Sequence, residues 1–158
     1  MNISPALLSQ LFGMNYGVLK MQTAGLTHQD SLRQLPFQGN CLNWVLGHIL
    51  TNRNKVLLLL DEPPLWGEAE ATPYQSGSEP ITSASEKVYP LEKILSDLDQ
   101  SQERLVAALK RVSPEALEKV VGEKTVGQQL AGLHFHEAYH TGQTELLRQL
   151  AGKSDKIV

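Results

Sequence analysis

Cysteine is almost missing from this chain. Cys41 is the only one in 158 residues, which excludes an intramolecular disulfide and agrees with a reducing compartment. Concentrated positive charge is missing too. Fourteen basic residues against seventeen acidic ones leave a formal charge of −3, the longest basic run is Lys110-Arg111, and Lys153 and Lys156 stand apart. Binding driven by phosphate neutralisation needs a dense basic patch, so no nucleic-acid partner is expected. Long apolar runs are absent as well. The longest, Val56 to Leu60, is far short of the roughly 20 residues that cross a bilayer. Met1-Asn2-Ile3-Ser4-Pro5 lacks the positive start and apolar stretch of a secretory signal. The expected setting is cytoplasmic, with no membrane partner. Val/Ile/Thr-rich alternation of strand type does not occur, nor does an internal repeat.

What remains is an ordinary globular composition, 41% apolar and 20% charged. A chain of this length is expected to form one domain over residues 1–158. It can bury a core without a disulfide or a structural metal. A metal site in it would therefore need a functional reason.

Four segments carry helical periodicity. Ser4-Pro5 reads as an N-cap followed by proline at the first helical position. Leu7, Leu11, Met14, Val18 and Met21 then mark an apolar stripe, and Gly25 is the stop. Residues 27–39 read as a connection, with a turn of helix about Asp30 to Leu35. Asn40 is the expected cap of a second helix over Cys41 to Leu60, apolar on so much of its circumference that it should pack on more than one side. Residues 61–89, rich in proline and glycine, form a long connection of the kind that shapes a site or spans a bundle end. The third helix should begin near Pro90 and bury Leu91, Ile94, Leu98, Leu105, Leu109 and Val112. Ser113-Pro114-Glu115 opens a short helical piece that Gly122 ends. Thr125-Val126-Gly127-Gln128 has the form of a capping box, and the last helix runs from Val126 to Leu150, closed by Gly152. The expected class is all-α, a four-helix bundle with its long crossover between the second and third helices.

The five histidines are unevenly distributed. His136 and His140 lie four apart on a helix and so share one face. At about 100° per residue, Leu133, Leu147 and Leu150 fall on the same arc, which would turn the pair toward the core. Buried imidazoles need a ligand or a hydrogen-bond partner. His48, inside the apolar second helix, shares its arc with Trp44, Asn52 and Lys55, and the neighbouring Gly47 permits close approach of a neighbouring helix or a ligand. His134 falls on the far side and is expected to be exposed, as is His28 in the connection. Gln143 and Asn52 share arcs with the three remaining histidines and could orient a bound ligand. Glu137 points about 100° away from His136 and reads as exposed or salt-bridged. Cys41, two turns from His48, reads as a packed small residue.

The strings Asn43-Trp44-Val45-Leu46-Gly47-His48-Ile49 and His136-Glu137-Ala138-Tyr139-His140-Thr141-Gly142-Gln143 resemble the two signature segments of the DinB-like superfamily. The resemblance implies a bundle of up-down-down-up order that is commonly dimeric. It also implies a divalent metal held by His48, His136 and His140. Three neutral imidazoles leave a coordination position open, as catalytic sites do, and all-nitrogen ligation suits zinc or nickel among other ions. An open cation lowers the pKa of a bound thiol or water, so thiol transfer and hydrolysis are both within reach. By resemblance, the leading expectation is a thiol-dependent S-transferase or related detoxification enzyme acting on a small molecule with a low-molecular-weight thiol as cosubstrate. The alternatives are a metal-dependent hydrolase and a non-catalytic, stress-related metal-binding dimer. Specificity is expected from the 61–89 connection and the helix ends at the metal.

Overall fold

The computed structural model describes residues 3–85 and 87–154. The expectations placed on Met1-Asn2 and on Lys156 lie outside the described residues. The described residues form seven α-helices and one two-strand hairpin: α1 (Pro5–Thr23), α2 (His28–Ser31), α3 (Leu42–Leu59), α4 (Glu68–Ala71), α5 (Leu91–Arg111), α6 (Pro114–Glu118), β1 (Val120–Val121), β2 (Lys124–Thr125) and α7 (Val126–Leu150). A 3-10 turn at Thr72–Tyr74 follows α4. Of the four long helices, α1 and α3 each pack on both α5 and α7. Among the described residues no helix is long and apolar enough to cross a membrane.

Helix ends follow local chemistry. Ser4 Oγ accepts from Leu7 N, with Pro5 at the first helical position. Thr125 and Gln128 close a reciprocal capping box on α7. Gly25 and Gly152 both adopt positive φ just beyond a helix end. One expected cap differs: α3 begins on Cys41, without a side-chain cap bond, and not on Asn40. The turn of helix in the first connection forms at His28–Ser31, earlier than expected, because Thr27 and Asp30 make a capping box of their own. The hairpin was not expected; its strands are two residues each and turn at Gly122, whose φ is positive.

The third long helix, α5, buries the expected face, from Leu91 to Leu109. The first does not. Leu7, Met14 and Met21 are 40%, 61% and 47% exposed. The buried face of α1 is Leu8, Phe12, Asn15, Leu19 and Gln22, one residue further round. Its polar groups are satisfied in part: Asn15 Nδ2 donates to the His134 carbonyl and Arg148 Nη1 donates to the backbone carbonyls of Gln22 and Ala24, while the buried Gln22 Oε1 has no partner among the described residues. Periodicity equates apolar with buried, and here a partly polar buried face left the apolar stripe at the surface.

Candidate metal centre

Helix α3 is buried almost throughout, polar residues included. Helices α5 and α7 cover much of it, and the long connection covers the side that carries Gly47. A Cβ on Gly47 would stand 2.1 Å from the Tyr74 ring, so only glycine admits Tyr74, which is fully buried there. The Tyr74 hydroxyl donates to Asn43 Oδ1 and accepts from Tyr89 N, while Asn43 Nδ2 donates to the Tyr89 carbonyl. Burial pushes that phenol up to about 12, so it remains a donor. The same docking brings the Tyr74 carbonyl 2.7 Å from His48 Nδ1. His48 Nδ1–H donates to it, which leaves Nε2 unprotonated. Trp44 stacks on the His48 ring at 4.6 Å, and Asn52 Nδ2 donates to the His48 carbonyl and lies 3.3 Å from its Nε2.

On α7, His140 Nδ1 lies 2.7 Å from Gln143 Oε1. An amide oxygen can only accept, so this ring also carries its proton on Nδ1 and frees Nε2. The core side of α7 is centred on Glu137, Thr141, Thr144 and Arg148, not on Leu133 and Leu150, which are only half-buried. His136 and His140 therefore stand half-buried on the flank of the core rather than facing its middle. Glu137 is not exposed: both its oxygens receive bonds of 2.9 Å from Arg53 Nε and Nη2, and Arg53 Nη1 donates to Ser101 Oγ. This buried pair ties α3 to α7 beside the histidines. Of the two readings of Glu137 from sequence, the salt-bridged one holds; its partner and its burial were not legible, because the two residues lie 84 positions apart and neither looks like a core residue.

The structure brings His48, His136 and His140 together, with ring centroids 4.5 to 5.0 Å apart and one nitrogen from each within 4.8 Å of the others. Nitrogens bonded at about 2.0–2.1 Å to one tetrahedral ion stand about 3.3 Å apart. His48 Nε2 and His136 Nε2 are at 3.1 Å, and a His140 nitrogen lies within 4.8 Å of both. The protonation states also fit a cation. If His136 carries its proton on Nε2, its buried Nδ1 is an acceptor without a partner. If it carries it on Nδ1, two lone pairs face each other across 3.1 Å and the Nδ1–H is unpartnered. A cation between the nitrogens relieves the lone-pair contact.

Burial lowers the pKa of all three rings. For His136, burial and then the neighbouring charges of His140, His48 and Lys55 pull it down to about 4. For His48, burial is partly opposed by the bond to Tyr74 and reinforced by His140 and Lys55; for His140, burial is partly opposed by Gln143. The rings are thus neutral near pH 7, the form that binds metal.

A cleft of about 430 Å³ opens onto the three histidines, lined by Phe37, Trp44, Tyr139 and Leu146 among others. Residues 35–40 of the first connection supply one wall. Among the described residues, the 61–89 connection gives this cleft only Ser76, and it forms a separate cavity of about 520 Å³ between Thr72 and Val88. Its part in the site is therefore to hold His48, more than to line the cleft. A wider cleft of about 700 Å³ reaches His136 from the side of Asn52 and Lys55. The other sequence candidates lie apart. His28, expected in solvent, accepts from Leu91 N and so caps α5. His134, expected to be exposed, is half-buried edge-on against Phe12. Cys41 is buried, which pushes its thiol up and keeps it protonated.

The DinB superfamily matches residues 20–144 of the chain. The crystal structure of a conserved protein from Enterococcus faecalis superposes with a TM-score of 0.73, over 97% of this chain and 99% of that one, at 19% identity. At that identity the likeness is one of fold. No curated protein matches by sequence.

Proposed function

The chain belongs to the DinB superfamily, and we propose that it is a metal-dependent enzyme holding one divalent ion, zinc or nickel, on His48, His136 and His140. The observation that carries this is the pair of Nε2 atoms facing each other at 3.1 Å while His48 and His140 commit their Nδ1 protons elsewhere. When bound, such an ion lowers the pKa of a thiol or water and polarises a carbonyl. Tyr74 and Gln143 orient the rings, and Trp44 shields one face of His48 from water. The reading we favour is transfer of a low-molecular-weight thiol to a small electrophile. Two clefts of different character meet at His136, which suits two reactants. The hydrolytic alternative calls for a carboxylate base, and Glu137 is engaged by Arg53.

We read residues 1–158 as one domain, a four-helix bundle in up-down-down-up order. Cross-helix bonds support that order. Asn15 meets residue 134 and the Gln22 carbonyl meets Arg148, so α1 and α7 rise together. Tyr16 and Lys20 meet Asp99, while Leu8 and Phe12 cluster with Leu105 and Leu109, so α1 and α5 run oppositely. A homodimer is supported by the exposed Leu7, Met14 and Met21 on α1 and Phe135, Tyr139 and Leu146 on α7. A cytoplasmic setting suits the lone buried thiol of Cys41.

The test is metal analysis of the purified protein beside His48→Ala and His140→Ala. About one ion per chain in the wild type, lost in both variants, is the expected result. Equal metal content in all three overturns the site. Turnover of thiol conjugates and esters by the loaded protein then separates transferase from hydrolase.

A further inference from the structure

The wider cleft differs in chemistry from the aromatic one. Lys55 and Lys124 line it, and Glu123 opposes them, which leaves one net positive charge on the lining. Among the described residues neither lysine is in an ion pair. Lys55 is not free to wander. Its Nζ donates to Asn52 Oδ1 at 3.0 Å, and the buried Asn52 donates through Nδ2 to the His48 carbonyl at 2.9 Å. One amide side chain therefore holds the ammonium beside the histidine cluster. Lys124 is carried by the hairpin, which Gln129 pins to α7 by donating to the carbonyls of Val121 and Lys124. The hairpin has almost no core of its own, since Val120 and Val121 are exposed; its fixed product is a wall over this cleft. Gly132 leaves open space on the α7 side.

We infer that this cleft receives an anionic small molecule, with its charged group on Lys55 and its metal-binding atom at the three histidines. The inference rests on the metal reading above and adds the charge of one reactant. Lys55 is a specificity-determining residue in it: its ammonium donates to Asn52 Oδ1 and has no lone pair to offer a metal. An ammonium that is hydrogen-bonded to a neutral amide and not to a carboxylate keeps its charge available. A partner anion at about 4 Å in a water-exposed cleft gains enough for roughly a fivefold preference, and that preference must fade with salt.

The experiment uses three thiols that share the sulfur and differ in the charge of the tail: 3-mercaptopropionate, 2-mercaptoethanol and cysteamine. Cobalt-loaded protein is titrated with each at low ionic strength and followed by the cobalt absorption bands. The expected order is 3-mercaptopropionate tightest, by about fivefold over 2-mercaptoethanol, and cysteamine weakest. Lys55→Met should bring the three within about twofold, Lys55→Arg should retain the order, and 2-mercaptoethanol should bind both variants as it binds the wild type. Lys55 is exposed, so both variants should fold. Equal affinity for the three thiols in the wild type, or an anion preference that survives Lys55→Met, overturns the inference. A protein that takes up no cobalt refutes the metal reading. With no ion held at the histidines, this inference falls together with that reading.

Discussion

Removing the Glu137 carboxylate should be the most damaging small change available in this protein. Arg53 and Glu137 are 1% and 3% exposed and joined by two bonds of 2.9 Å. In Glu137→Ala, the guanidinium keeps Ser101 Oγ and the face of Tyr16, whose ring centroid is 5.9 Å away, and loses its counter-charge inside the core. Breaking one partner of a buried pair costs about 3–5 kcal/mol. For a chain of this size each kcal/mol moves Tm by about 2–4 °C, so the midpoint should fall by roughly 6–20 °C. The pair as a whole is worth far less, because bringing both charges out of water offsets most of their attraction. The double variant Arg53→Met/Glu137→Leu should therefore recover to within about 2 kcal/mol of the wild type. Urea unfolding gives both numbers, provided the m-value is unchanged across the set. A cost under about 1 kcal/mol for Glu137→Ala would refute the burial argument. A double variant that loses as much as the two single variants together would refute the compensation.

Two further outcomes follow from the packing and the pKa shifts. Gly47→Ala drives a methyl into the Tyr74 ring and should cost about 3 kcal/mol, the upper end for overpacking. It should also weaken metal binding, because it displaces the carbonyl that orients His48. Gly142→Ala, with open space around it, should instead stabilise α7 by about 0.5–1 kcal/mol; thermal melts distinguish the two. The third outcome concerns pH. His136 titrates at about 4 in the folded protein against an ordinary value near 6.5. The unfolded chain takes up the proton first, so metal-free protein should be fully stable above about pH 6.5 and lose stability as pH falls toward 4. His136→Gln should flatten that loss in melts taken across the window, and an unchanged slope would remove His136 as its source.

Much of the fold was legible because helix ends are local. Ser4-Pro5, the Thr125–Gln128 box and Gly152 act within a turn or two of themselves, and the bounds of α7 followed from them. The buried face of α5 was legible because its apolar and charged residues separate cleanly around the axis. The α1 face was misread because Asn15 and Thr23 are bonded to the His134 carbonyl and to their own helix, and Gln22 is buried beside them although its Oε1 has no partner among the described residues. The hairpin escaped notice because strands of two residues have no period to detect.

At the site, the sequence by itself determined that His136 and His140 share a helical face and that Gly47 admits something bulky beside His48. Spacing on a helix is a local geometric fact, independent of what the helix packs against. Tertiary structure decided that Tyr74 is what Gly47 admits, that His48 Nε2 stands 3.1 Å from His136 Nε2 with His140 within 4.8 Å, and that Glu137 belongs to Arg53. Each depends on how α3, α7 and the long connection are set against one another. That setting comes from burial and charge pairing summed over distant residues, and no window along the chain contains it.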